Sequence, residues 1–189
     1  MPHTQVKYGP TDALLVVDMQ NDFCEGGALA VAGGNALVPG INAEIAAART
    51  GDALIIASRD WHPIDHVSFV HRGGPWPVHC VQDTPGAAFH PDLDLDDATL
   101  RVSKATAFDA DAYSAFDGTG LAGYLRERGV TRVIVCGLAL DVCVRATVLD
   151  ARQAGFETWL LESLSAAVDP DAVADCRAAF AEAGAAVMP

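Results

Sequence analysis

Short, continuously apolar runs alternate with longer stretches of helical character along the chain, and this alternation limits the folds open to it. The six runs are ALLVVD at 13–18, ALIIAS at 53–58, LRVSKA at 100–105, RVIVCG at 132–137, ETWLLE at 157–162 and AAVMP at 185–189. Strands of a parallel sheet have this composition because helices cover both faces of the sheet and neither face meets water. The pattern predicts an α/β fold, a three-layer α/β/α sandwich around a mostly parallel six-stranded sheet.

The stretches between the runs predict helices at 36–50, 120–129, 143–155 and 171–184. Three of them end on a glycine, the residue most often found just past the last turn of a helix. A length of 189 residues lies within the range of one compact domain, and a hydrophobic content of 51% provides a substantial core. We therefore expect one domain over residues 1–189.

The charge balance argues against two classes of partner. Lys and Arg number 12 and Asp and Glu number 25, a net charge of −13, which repels nucleic acids and anionic membranes. The longest apolar stretch, residues 13–17, is too short to span a bilayer, and the first residues do not have the order of a signal peptide. We expect a soluble, cytoplasmic protein and a small-molecule ligand. Nothing in the sequence specifies an oligomer, although a homo-oligomer is compatible with it.

Polar residues follow several of the predicted strands directly. Asp18, Asp60 and Lys104 stand at such positions, and the segment 137–143 follows the fourth strand. Ligands of open parallel sheets bind beyond the carboxyl ends of the strands, so we expect these residues to lie near a site. The long segment 61–96, rich in His, Pro and Gly, is a second indication, because long loops in compact domains are usually functional.

Cys143 is the candidate nucleophile among five cysteines that contain no C-x-x-C pair. It follows a strand and is predicted to open a helix, whose free N–H groups would favour the thiolate. The alternative is a small buried hydrophobic residue, which is how we interpret Cys136 and Cys176. Asp18 could accept the thiol proton, or could cap a turn. Lys104 could place a compact positive charge beside a thiolate or carboxylate, or could be solvated.

A second group has the chemistry of metal ligands. Asp60, His62 and His66 lie within seven residues, and His79 follows on the same loop. Carboxylate and imidazole suit zinc, iron or manganese, whereas an isolated histidine usually has no such role. We interpret the remaining histidines as surface residues: His3, His71 and His90. The segment 118–123 matches G-x-G-x-x-G, but no strand precedes it, so dinucleotide binding is not expected.

Several motifs together resemble a known family. They are DMQNDF at 18–23, DWHP at 60–63, HVSF at 66–69, WPVHCV at 76–81, TPGA at 84–87, DAYSAF at 111–116 and GLALDVCV at 137–144. In this order they resemble the isochorismatase-like cysteine hydrolases and, within that superfamily, the nicotinamidases, also called pyrazinamidases. The resemblance covers essentially the whole chain.

The resemblance implies a site, residue by residue. It implies a catalytic triad of Asp18, Lys104 and Cys143. It implies one divalent metal ion, namely zinc, iron or manganese, held by Asp60, His62 and His79, with His66 as a fourth ligand in some members. It implies a cis peptide between Leu138 and Ala139 and an oxyanion hole formed by the N–H groups of Ala139 and Cys143. Phe23, Trp76 and Tyr113 match positions that bind an aromatic carboxamide.

The implied reaction is deamination of nicotinamide to nicotinate and ammonia, and of pyrazinamide, through a thioester on the cysteine. Two departures from the family pattern are Leu140, where Thr or Ser is usual, and Val142, often aromatic or His; we expect a more apolar pocket edge. The alternatives are an amidohydrolase of N-carbamoyl or ureido compounds, an isochorismatase, and a non-enzymatic binding scaffold. The presence of Cys143 argues against an isochorismatase, and the metal-ligand set Asp60, His62 and His79 argues against an amidohydrolase of N-carbamoyl or ureido compounds. The complete triad argues against a binding scaffold.

Overall fold

The computed structural model describes residues 6–189, which contain one six-stranded sheet. The strands are β1 (Asp12–Val17), β2 (Leu54–Asp60), β3 (Leu100–Lys104), β4 (Arg132–Leu138), β5 (Glu157–Ala166) and β6 (Ala186–Met188). Their order across the sheet is β3-β2-β1-β4-β5-β6, and every neighbouring pair is parallel. The predicted α/β sandwich is confirmed, with a sheet that is parallel throughout.

The helices lie close to their predicted positions. They are α1 (Gly34–Thr50), α2 (Leu121–Glu127), α3 (Arg145–Gln153) and α4 (Val173–Ala183). Gly155 and Gly184 follow α3 and α4 with φ angles of 92° and 73°, the left-handed conformation that closes a helix. In the described part of the chain, no helix is both long enough and apolar enough to cross a bilayer.

Helices cover both faces of the sheet, which explains the continuously apolar strands. All six residues of β1 are buried. Leu14 and Val16 belong to the core layer that contains α1, whereas Leu15 and Val17 belong to the layer that contains Val148 of α3 and other residues of α2–α4. Side chains of a strand alternate between faces, so a strand covered on both sides is apolar at every position.

The segment after β4 differs from the prediction. Cys143 was expected to open a helix, but it lies inside a π-helical turn, Leu140–Val144, that precedes α3. The carbonyl of Ala139 accepts hydrogen bonds from the backbone N–H groups of Val142 and Val144, both at 3.0 Å. The chain therefore enters a helical turn almost directly after the end of β4.

The loop 61–96 contains two short 3-10 turns, Val70–Arg72 and Pro85–Ala87, and three isolated bridges involve its residues. One bridge pairs Gln20, just after β1, with Phe89. Another pairs His62 with Val81 within the loop. The loop is thereby folded back over the carboxyl ends of β1 and β2.

Candidate active site

The carboxyl ends of the strands bring together the three residues that the resemblance assigns to catalysis. Asp18 directly follows β1, Lys104 ends β3, and Cys143 lies in the turn after β4. Nζ of Lys104 is 2.8 Å from Oδ2 of Asp18 and 3.5 Å from Sγ of Cys143. The three residues are 0%, 1% and 6% exposed in the order Asp18, Lys104, Cys143. An acid, an amine and a thiol thus share one buried space.

Lys104 lies between two carboxylates. Its Nζ is also 2.5 Å from Oδ1 of Asp60. Burial tends to lower the pKa of Lys104, but Asp18 and Asp60 outweigh it and raise this pKa well above its usual value. Burial raises the pKa of Asp18, although the Lys104 ammonium opposes it. The two carboxyl groups therefore favour the ammonium form of Lys104, and burial increases the affinity of Asp18 for a proton.

The thiol of Cys143 is protonated at rest. Burial raises its pKa well above the usual value, and although the Lys104 ammonium opposes this, the carboxylates of Asp18 and Asp60 reinforce it. Burial and the neighbouring carboxylates thus act against the preference for the thiolate that the helix start predicts. A thiol of this kind needs a nearby base before it can attack, and a carboxylate oxygen of Asp18 lies within 4.8 Å of Sγ.

Asp60, His62 and His79 form a buried cluster whose ligand atoms all lie within 4.8 Å of one another. Nδ1 of His62 lies 3.1 Å from the carbonyl of Ala105, and Nδ1 of His79 lies 2.7 Å from the carbonyl of Pro77. A carbonyl can only accept, so each Nδ1 carries the proton and donates it.

The Nε2 atoms of His62 and His79 face each other at 3.3 Å. Oδ2 of Asp60 lies 3.5 Å from Nε2 of His62 and 3.8 Å from Nε2 of His79. Two imidazole nitrogens and one carboxylate oxygen are a donor set that fits a divalent metal ion, and the backbone carbonyls orient the rings as in metal sites. Asp60 contributes to both clusters. Burial alone would raise its pKa, but Lys104 and the two histidines hold that pKa well below its usual value.

His66 lies beside this cluster rather than in it. Its Nε2 donates to the carbonyl of Ala110 at 3.1 Å, and its Nδ1 accepts the hydroxyl of Ser68 at 2.7 Å. Its ring stacks on that of His62 with 4.2 Å between centroids. Both nitrogens thus have other partners, and the three ligand atoms that converge belong to Asp60, His62 and His79. A role of His66 as a fourth ligand stays a prediction.

A pocket opens above the cysteine and the metal cluster. It is lined by the aromatic residues predicted to bind substrate and by both residues of the predicted oxyanion hole: Phe23, Trp76, Tyr113, Ala139 and Cys143. The Trp76 indole N–H donates to the Tyr113 hydroxyl at 3.1 Å across the pocket. The peptide between Leu138 and Ala139 is cis, as the resemblance implies.

The two departures from the family pattern lie in different places. Val142 lines the pocket together with Leu29, Val31 and Val168, so this side of it is apolar as expected. Leu140 is 3% exposed and packs in the core layer that contains Val144 and Val148. The expectation that Leu140 makes the pocket edge more apolar is therefore wrong.

Two buried polar residues that the sequence analysis did not single out support the site. The Gln20 amide group donates to the carbonyls of Asp60 and Ala87 and accepts the N–H of Asp60, all at 2.8 Å. The Ser58 hydroxyl donates to Oδ1 of Asp18 at 2.7 Å. A signal was present for Ser58, because a hydroxyl interrupts an apolar strand two residues before Asp60 and thus on the same face of the sheet.

Two of the three remaining histidines lie within the described residues, and neither lines the pocket. His71 is exposed and pairs with Asp65. His90 is partly exposed, and its Nδ1 accepts the N–H of Asp92. His3 lies outside the described residues. The segment before 118–123 is not a strand, so the G-x-G-x-x-G match has no dinucleotide-binding context.

The fold and the residues at its carboxyl edge define an α/β enzyme of the hydrolase class. A family model described as "Isochorismatase domain" matches residues 12–189. The chain belongs to the isochorismatase family.

Similar proteins narrow the class to amidohydrolases. A nicotinamidase/pyrazinamidase of Mycobacterium tuberculosis is 46% identical over 167 residues, which cover 84% of this chain and 88% of that protein. A pyrazinamidase of Pyrococcus horikoshii in complex with zinc is 47% identical, with a TM-score of 0.92 over 95% of this chain and 99% of the other. PnC1 from L. infantum in complex with nicotinate is 43% identical, with a TM-score of 0.90 over 98% and 96% of the two chains. The protein described here is an amidohydrolase.

Proposed function

We propose that this protein hydrolyses nicotinamide to nicotinate and ammonia, and accepts pyrazinamide, through a thioester on Cys143. The observation that carries the proposal is the position of the Lys104 ammonium, 2.8 Å from Asp18 and 3.5 Å from the thiol of Cys143, at the base of an aromatic-lined pocket. The similarity to nicotinamidases at 40% and 46% identity supports the choice of substrate.

In the first half of the reaction, Asp18 accepts the proton of the Cys143 thiol and Sγ attacks the carboxamide carbon. Lys104 stabilises the negative charge on sulfur, because its ammonium is 3.5 Å away and stays protonated. The N–H groups of Ala139 and Cys143 are assigned to the developing oxyanion. When the C–N bond breaks, Asp18 returns the proton to the leaving nitrogen, and ammonia departs from the thioester.

In the second half, water attacks the thioester carbon while Asp18 accepts one of the water protons. The C–S bond then breaks and the proton on Asp18 returns to the Cys143 sulfur. The nicotinic acid so formed becomes nicotinate by losing its remaining proton to solvent or to the released ammonia. Lys104 again lies beside the sulfur as its charge develops. The cycle leaves each side chain in its starting protonation state.

We assign Asp60, His62 and His79 as the ligands of one divalent metal ion. A zinc-bound pyrazinamidase of the same fold supports the assignment, and iron and manganese suit the same ligands. When bound, the ion would supply a Lewis-acid contact for the pyridine nitrogen of the substrate. Phe23 and Trp76 would pack on the ring, and their position in the pocket wall supports this.

The substrate assignment is tested by comparing kcat/KM for nicotinamide, pyrazinamide, benzamide and an N-carbamoyl amino acid. Benzamide matches nicotinamide in size and amide group but has no ring nitrogen, so a site built to bind that nitrogen should hydrolyse it at least about 100-fold less efficiently. Nicotinamide and pyrazinamide should both be good substrates. A preference for benzamide or for the carbamoyl compound would contradict the proposal, and absence of turnover on all four compounds would favour a binding scaffold.

A further inference from the structure

We propose that Ser58 is a positioning residue for Asp18: it fixes one carboxylate oxygen and thereby holds the carboxylate in its position beside Lys104 and Cys143. The inference rests on the proposed function, because it concerns the proton acceptor of that reaction. Ser58 is fully buried on β2, two residues before Asp60, and touches neither the substrate pocket nor the thiol in the described structure.

The backbone alone does not hold the Asp18 side chain. Within a strand the alternation of side chains fixes their direction, but Asp18 lies just past β1 with a φ of 48°, in the left-handed region outside the strand conformation. Its direction is therefore set by its contacts. Its backbone N–H donates to the Ser58 carbonyl at 3.1 Å, and its Oδ1 accepts the Ser58 hydroxyl at 2.7 Å.

The two oxygens of Asp18 have different partners. Oδ1 faces Ser58, whereas Oδ2 lies 2.8 Å from the Lys104 ammonium. An ammonium attracts both oxygens of a carboxylate, so without a competing donor the Asp18 group would rotate toward Lys104. Such a rotation would move the carboxylate out of the position in which one of its oxygens lies within 4.8 Å of the Cys143 sulfur. The Ser58 hydroxyl opposes the rotation because it holds Oδ1 in place.

The test compares Ser58→Ala, which removes the donor, with Ser58→Thr, which keeps it. The matched control is Thr158→Val: Thr158 is a buried hydroxyl on β5 that bonds the carbonyl of Phe156. We measure kcat and KM on nicotinamide, and the rate at which iodoacetamide alkylates Cys143, followed by mass spectrometry. Alkylation needs the thiol to lose its proton but does not need nicotinamide to be a substrate.

Ser58→Ala should lower kcat about 10- to 100-fold, the usual effect of losing a hydrogen bond to a charged group, with KM changed less than about twofold. The alkylation rate of Cys143 should fall with it, and Ser58→Thr should restore both. Thr158→Val should leave both near their original values. A Ser58→Ala variant with unchanged kcat and alkylation rate would overturn the proposal.

Two further results distinguish a failure of the proposed function, or a failure to fold, from a failure of the role proposed for Ser58. If the unsubstituted protein does not hydrolyse nicotinamide but Ser58→Ala slows alkylation, the proposed function fails and the role of Ser58 stands. If Ser58→Ala does not fold, Ser58→Cys provides the same comparison, because a thiol fills the space and is only a weak donor. That variant should show reduced alkylation of Cys143, and an unchanged rate at this residue would contradict the proposal.

Discussion

The candidate site has two halves that are built in different ways. In the thiol half, Asp18, Lys104 and Cys143 lie at the ends of three strands or just beyond them. In the histidine half, His62, His66 and His79 lie on the loop 61–96, which the described structure holds through turns and bridges rather than through paired strands. A parallel sheet brings the ends of its strands together through register, whereas a loop needs individual contacts to place each ring.

Different contacts place the residues of the two halves. The register aligns Asp60 with Lys104 across β2 and β3, and Val17 with Gly137 across β1 and β4. In the histidine half, the rings are placed by bonds to the carbonyls of Ala105, Pro77 and Ala110. We therefore expect a substitution in the thiol half and one in the histidine half to change different properties among activity, metal content and thiol reactivity.

The largest effect is expected when the thiol half loses its nucleophile. Cys143→Ala should lower kcat by at least about 10⁴-fold, because no other group can form the thioester. Metal content, measured by elemental analysis, and the melting temperature should stay close to their original values, since the ligands are on another segment. Substantial turnover by this variant would contradict the covalent mechanism.

The next largest effect is expected when the histidine half loses a proposed metal ligand and the thiol half stays intact. His62→Ala should reduce bound metal to a small fraction and lower kcat/KM at least about 100-fold, because it removes a direct ligand. Alkylation of Cys143 by iodoacetamide should be retained, since Lys104 and Asp18 keep their contacts with each other. A fully active variant without metal would refute the assignment of a metal to this cluster.

His66→Ala provides the comparison within the histidine half. It removes a ring that stacks on His62 but that bonds Ala110 and Ser68, so metal affinity should fall only about 10-fold, as for an outer-shell residue. Competition with a chelator measures the metal affinity of His66→Ala and of His62→Ala on one scale. A loss of metal as complete as in His62→Ala would identify His66 as a ligand.

The smallest effect should come from the support of the loop. A Cβ at Gly86 would lie 2.2 Å from Oδ2 of Asp22, which accepts the backbone N–H of Cys80 at 2.7 Å. Gly86→Ala should destabilise the protein by about 1–3 kcal/mol, as overpacking does, and should weaken metal binding more than it slows alkylation of Cys143.

The control for that variant is Gly123→Ala. This glycine lies inside α2, and a Cβ there meets no atom within 4 Å. The substitution should increase the free energy of unfolding by about 0.5–1 kcal/mol because alanine is the better helix residue. Chemical denaturation measures both variants, and equal destabilisation would show that the close contact at Gly86 is not the cause.

The thiol half was easier to predict from the sequence than the histidine half. Asp18, Asp60 and Lys104 lie at or near the ends of apolar runs. The runs of β1 and β2 are easy to recognise because these strands are buried at nearly every position. The carboxyl-edge rule then places these residues together. The resemblance supplied what position alone does not, namely a role for each residue.

The details that the sequence did not reveal depend on distant parts of the chain. The pKa of Cys143 is raised chiefly by burial, which no local pattern around the residue encodes. The nitrogens of His66 are occupied by Ser68 and by Ala110, and the second of these is 44 residues away. The π-helical turn around Cys143 depends on hydrogen bonds to the carbonyl of Ala139, which a helical periodicity does not reveal.

The place of Lys104 in the sheet has a consequence for local unfolding. β3 is an outer strand of five residues, and its pairing partner is β2. Outer strands open more readily than central ones, and their amide hydrogens exchange with solvent sooner. The ion pairs of Lys104 with Asp18 and Asp60 fasten the end of β3 to the central strands. We therefore expect the side chain that is proposed to stabilise the charged sulfur also to slow hydrogen exchange of the amides of its own strand.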